Sequence, residues 1–168
     1  RQLNALPMYL GLDLRGGIHF LMEVDMEAAV TKAEERYVGD LRSQLREQKI
    51  RYRSVQLKDN GLAIVFTNVQ TLEAGRSHIK RENPELELSD GPDGGMTLRA
   101  ILSSAAQDEI KRFALQQNIT TLRNRVNELG VAEPVIQQQG SNRIVVQLPG
   151  VQDSAKARRI LGATATLE

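Results

Sequence analysis

Between Ile18 and Asp25 the apolar side chains Ile18, Phe20, Met22 and Val24 alternate with His19, Glu23 and Asp25. A period of two predicts a strand with one strongly buried face. Leu21 interrupts the polar side, so both faces are expected to be partly covered. At Met26 the period changes: Met26, Val30, Ala33, Tyr37, Leu41 and Leu45 fall in steps of three and four and predict a helix to about Lys49, with Asp25 as its N-cap.

Two short strand signals follow, Tyr52 to Lys58 and Leu62 to Thr67, separated by Asp59-Asn60-Gly61. Asn-Gly predicts a tight hairpin, because both central residues of such a turn must tolerate positive φ. Asn68 caps a second helix that Pro84 stops near Asn83, with Gly75 an unfavourable residue in its middle. ELELSD and MTLRAIL alternate around Gly91 to Gly95 and predict another hairpin. Ser104 with Gln107 has the form of a capping box, and Leu115, Ile119, Leu122, Val126 and Leu129 then continue a long helix until Gly130 ends it. Val135-Ile136 and Arg143 to Leu148 predict paired strands across Gly140-Ser141-Asn142. Asp153 opens a short helix to about Leu161, and TATLE reads as the start of a strand that continues past Glu168.

The predicted order is β, α, ββ, α, ββ, α, ββ, α, β, an α+β class. Residues 1 to 17 precede it, hold Pro7 and three glycines, and read as an extended lead-in. Two overlapping βαββαβ frames pass through this order. One joins strand 18–25 to the first helix, the other to the helix at 104–129. The second completes a split-βαβ, or ferredoxin-like, base sheet that would otherwise have three strands, and it is the preferred frame. It divides the chain into 1–25 (lead-in and first base strand), 26–103 (an inserted α/β subdomain) and 104–168 (the rest of the base, its last strand short).

Composition narrows the chemistry. The 168 residues carry 22 basic and 21 acidic side chains and no cysteine. The near-zero net charge gives no global field toward nucleic acid or anionic lipid, and without cysteine there are no disulfides, thiol nucleophiles or thiolate metal sites. No apolar run reaches the roughly 20 residues that cross a bilayer. His19 and His78 are the only histidines and lie on different predicted elements, too few for a zinc site without a thiolate. No serine sits in a G-x-S-x-G elbow, so no enzyme activity, catalytic residue, metal or cofactor is expected. The basic run Arg42, Arg46, Lys49, Arg51 and Arg53 closes the first helix, where cations complement the helix dipole. A ferredoxin-like nucleic-acid-binding domain is the alternative function. It would display stacking aromatics on its sheet, and this chain has three Phe and three Tyr, scattered.

The stretch LGLDLRGG, Leu10 to Gly17, has the glycines of a phosphate loop but not their context. Such loops precede a helix N-terminus with GxGxxG or GxxxxGK[ST] spacing, whereas Gly16-Gly17 precede a strand. The glycines are expected to admit a bulge, a bend or a close backbone contact. Asp13 and Arg15 fall on one side of the extended segment and are expected to fix its path.

The blocks LGLDLRGGIHFLMEVD (10–25), LRNRVNELGVAEPVIQQQGSNRIVVQLPGVQD (122–153) and ARRILGATATLE (157–168) resemble the SecD/SecF family of protein translocase subunits. The resemblance implies a ferredoxin-like base and places the stretch on the periplasmic side of the cell inner membrane. It implies a non-catalytic module that couples membrane helices to a substrate-contacting head during proton-gradient-assisted translocation. Implied partners are SecF, the SecYEG channel, YajC, YidC and the unfolded polypeptide in transit, with membrane attachment through helices outside these residues and no nucleic acid. The family motif falls on Gly11, Asp13, Arg15, Gly16 and Gly17, in a structural and coupling role. It further implies that 26–103 is an insertion that not all members carry.

Overall fold

The computed structural model describes residues 7–12, 17–92, 94–151 and 153–165, and contacts divide the chain into two compact units. One takes the described residues up to Ala29 and from Lys111 onward, and the other is Val30–Ile110. In chain order the elements are β1 (Pro7–Leu12), β2 (Ile18–Glu23), α1 (Met26–Glu47), β3 (Tyr52–Leu57), β4 (Leu62–Phe66), α2 (Val69–Glu82), β5 (Leu86–Asp90), β6 (Thr97–Leu102), α3 (Ser104–Glu128), β7 (Val135–Gln139), β8 (Arg143–Leu148) and α4 (Ser154–Ala165). The fold is mixed α/β with two antiparallel sheets.

The first unit is built on the sheet β1-β2-β8-β7. β2 runs antiparallel to β8 from Ile18↔Leu148 to Glu23↔Arg143. Its alternation does what the period of two requires: Ile18, Phe20 and Met22 are buried, while His19 and Leu21 are half-buried. They meet Leu115, Ile119, Leu122 and Val126, one stripe of α3, and Ala157 of α4. Gly130 ends α3 with a positive φ of 71°, and the N–H of Val131 returns to the Val126 carbonyl. Asp153 caps α4 through a 2.8 Å bond from the Ala155 N–H.

Two expectations are corrected in this unit, and a third at the start of α3, within the second unit. Residues 7–12 of the lead-in form a strand, paired with β2 from Pro7↔Met22 to Leu12↔Ile18. A ladder to an existing strand is satisfied by backbone groups and does not need alternating side chains, which is why the segment carries no period. The cap of α3 is Ser103, one residue earlier than expected: its Oγ accepts from the Ala106 N–H, and Gln107 reaches the Leu102 carbonyl instead of a cap. The last helix runs to Ala165, so Thr164 and Ala165 of the expected strand are helical, in keeping with the helix propensity of alanine. Residues 166–168 lie outside the described residues.

The second unit is the sheet β3-β4-β6-β5 with a core of Val55, Ile64, Phe66, Leu86, Leu98 and Leu102 facing Leu41 and Leu45 of α1 and Leu72 and Ile79 of α2. Asn68 caps α2 as expected, in a full capping box with Thr71. The expected hairpin joins β3 to β4, but its positive-φ residues are Asp59 (49°) and Asn60 (57°), one place earlier than Asn-Gly. Gly61 is required for a different reason: a Cβ there would stand 2.9 Å from the Ala100 carbonyl oxygen of β6. Gly75 has the same cause. Phe66 lays its ring against the α2 backbone, leaving 2.3 Å between Cζ and the place of a Cβ. At the end of α2 the buried Asn83 exchanges hydrogen bonds with Gln44 of α1 at 3.0 and 3.3 Å.

Candidate functional site

The motif glycines mark the entrance to β2. Between Tyr9↔Phe20 and Leu12↔Ile18 three steps along β1 answer two along β2, so a bulge falls on the Leu10-Gly11 stretch. An extra residue in one strand twists the edge, and glycine accepts that path at low cost. Gly17 is buried at the start of β2, where a Cβ would stand 3.2 Å from the Leu148 carbonyl oxygen and 3.3 Å from the Pro149 Cα. Glycine here lets the chain enter the sheet against the end of β8, which turns away at Gly150 (φ 75°). At the other end of β2 the Val24 N–H donates to the Asn142 carbonyl at 2.8 Å, and the Asn142 amide donates to Glu23 at 2.9 Å. Asp13, Arg15 and Gly16 lie outside the described residues.

This arrangement is a shaped seat for a strand. His19 lies on β2 opposite Gln147 in the first unit, and His78 lies on α2 in the second. The basic run at the end of α1 is partly engaged: Arg42 donates to the Val55 carbonyl at 2.7 Å and Arg46 to the Tyr52 hydroxyl at 3.3 Å. Guanidinium groups held this way are less available to phosphates, which weakens the nucleic-acid alternative.

The second unit holds buried polar groups that composition did not reveal. Tyr37 donates to the Glu85 carboxylate, and burial followed by that bond and charge pushes the phenol above its ordinary range. His78 accepts from Arg81 at Nδ1 (3.3 Å), and its buried Nε2 has no partner among the described residues. Glu34 is 6% exposed, and burial pushes its carboxyl up. One signal could have found Glu34: it stands four residues from both Val30 and Val38 and three from Tyr37, a carboxylate at the margin of the apolar stripe of α1.

The Glu34 shift has a sign. A carboxyl that binds its proton more tightly folded than unfolded lends stability below the unfolded value of about 4.3, lost as pH rises through the folded value. Glu34→Gln should therefore raise the unfolding temperature of the second unit at pH 7 by a few degrees and leave it nearly unchanged at pH 3.5. Circular-dichroism melts of both proteins at the two pH values give the comparison.

Comparison with known proteins places the motif. The family model described as SecD/SecF GG Motif matches residues 4–28, and the model for the N-terminal part of the P1 domain of protein translocase subunit SecDF matches 115–168. The chain is 52% identical over 99% of its length to protein translocase subunit SecD of Escherichia coli K12 and covers 27% of that protein. It is 48% identical to the Pseudomonas aeruginosa SecD over 100% of its length, again 27% of that protein. With the Magnetococcus marinus SecD it shares 36% over 96% of its length, 31% of that protein. The chain thus spans about a quarter to a third of the relatives it matches, and no solved structure gives a significant match. On the glycine motif and on identity near one half along its whole length, the chain belongs to the SecD family, as the counterpart of one stretch of those subunits.

Proposed function

We propose that this stretch is a non-catalytic coupling module of a protein translocase subunit, standing on the periplasmic side of the inner membrane. It passes movement between membrane helices and the part of the subunit that touches the chain in transit. The observation that carries this reading is the 52% identity over 99% of the chain to a protein translocase subunit. SecF, the SecYEG channel, YajC, YidC and the unfolded polypeptide are the proposed partners of the whole subunit.

In this reading the first unit is a ferredoxin-like base. β2, α3, β7, β8 and α4 follow one another as βαββα, with β2 beside β8 in the middle of the sheet. β1 lies on the outer side of β2, the side that the final strand of such a fold takes. Residues 26–103 are an inserted subdomain between 1–25 and 104–168. Gly11, Asp13, Arg15, Gly16 and Gly17 form the link by which the membrane side pulls on β2, and the seat of Gly17 against Leu148 and Pro149 supports that role.

The test is made in the full-length subunit. Gly17→Val forces a branched side chain into the 3.2 Å gap, a crowding that costs about 1–3 kcal/mol at the seat. Asp13 and Arg15 are replaced together by alanine in a second variant. Both should slow the export of a pulse-labelled secreted precursor while the subunit accumulates to its normal level. An unchanged export rate in both variants at normal level overturns the coupling role.

A further inference from the structure

β3 is an outer strand of the second unit, and its hairpin determines which backbone groups face the open side. Lys58 and Gly61 close the two-residue turn as a hydrogen-bonded pair, 2.9 Å from the Lys58 nitrogen to the Gly61 oxygen. Bonded and non-bonded pairs alternate along an antiparallel ladder, so Leu57–Leu62 and Val55–Ile64 are non-bonded pairs. The N–H and C=O groups of Val55 and Leu57 therefore point away from β4. Arg42 occupies the Val55 carbonyl at 2.7 Å, whereas no side chain among the described residues covers the outward groups of Leu57.

Beside Leu57 the surface dips into a shallow depression lined by Thr31, Glu34, Leu57, Lys58, Asp59 and Asn60. The Glu34 stem is buried, yet among the described residues its carboxylate has no hydrogen bond and no ion pair, not even with Lys58 at the rim. Its oxygens are not fully enclosed, and Glu34 is one of the residues that line the depression. Asp59, the other acid of the rim, is engaged with Arg99 at 3.5 Å. Burial already holds the Glu34 proton too tightly, a cost that an arriving cation would relieve.

We propose that this end of β3 is a docking subsite for a short extended segment of polypeptide carrying a lysine or arginine. The segment adds its backbone to the outward N–H and C=O of Leu57, the mode of strand addition. Its cationic side chain enters the depression and pairs with Glu34. Arg42 blocks the next rung at Val55, so the ladder stops after one or two bonds and the segment is held briefly. All of these residues belong to the second unit, so the site is independent of the translocase reading.

The 168-residue chain, labelled with nitrogen-15, is titrated with the capped peptide acetyl-Thr-Val-Lys-Val-Thr-amide and with the same peptide carrying norleucine for lysine. The lysine peptide should shift the amides of Thr31, Glu34 and Leu57 to Gly61. It should bind about three- to tenfold more tightly than the norleucine peptide, the worth of an ion pair still partly open to water. Glu34→Gln, which is expected to fold more stably than the parent, should abolish the difference. The proposal is overturned if neither peptide binds at millimolar concentration, if both bind the parent alike, if the shifts map elsewhere, or if Glu34→Gln keeps the preference.

Discussion

Phe20→Ala should remove about 3–5 kcal/mol from the first unit and leave the second at its original stability. Phe20 is 2% exposed, the largest side chain that β2 contributes to the core between its sheet and α3. It shares this core with Val146, its partner on β8, and with Leu122 of α3, both fully buried, so the structure has few ways to collapse around the loss. The two cores share no residue, and this sets where the effect is felt. Native-state hydrogen exchange reads it directly: amides of β2 and β8 should lose protection while those of β4 and β6 keep theirs. Equal loss in both sheets would mean that the units unfold as one.

Gly75→Ala should produce the opposite pattern, with a net loss of roughly 2 kcal/mol confined to the second unit. An added methyl would stand 2.3 and 2.4 Å from the Cζ and Cε1 atoms of a Phe66 ring that is 0% exposed. Crowding of a packed core costs about 1–3 kcal/mol, and more where nothing can move. Against it, alanine regains about 1 kcal/mol of helix propensity over glycine. The cause is separable from any general sensitivity of α2 by a double-mutant cycle. Phe66→Leu destabilises alone, but together with Gly75→Ala it should cost at least about 1 kcal/mol less than the sum, because the smaller side chain vacates the collision. Additive losses in urea unfolding would show that the ring is not what requires glycine.

Much of this fold was legible where one element's own pattern decides its state. The alternation of Ile18, Phe20, Met22 and Val24, the stripe from Met26 to Leu45 and the caps at Asn68 and Asp153 each carry a local physical instruction, and the structure follows them. What was not legible depends on a neighbour distant in sequence. β1 has no period because β2 supplies its partner groups, and Gly75 and Gly61 look like weak points until Phe66 and Ala100 are seen against them. The entrance site divides the same way. Gly17 before a strand is visible in the chain, but the reason for it, the backbone of Leu148 and Pro149, lies about 130 residues away. Glu34 shows as a carboxylate at the margin of an apolar stripe, and only the geometry of the β3 hairpin gives it an open strand edge beside it.

The pairing of β2 with β8 also sets an order of events during synthesis. Glu23 and Asn142, which touch at 2.9 Å, are 119 positions apart, so the first sheet cannot close until most of the chain exists. The second unit is complete once Ile110 has been made. Its first and last residues, Val30 and Ile110, pack on one core. When that core forms, the long excursion between β2 and α3 shrinks to the span of a folded body, and the entropy of closing so large a loop is largely removed beforehand. Refolding of the first unit should therefore slow whenever the second is made unstable.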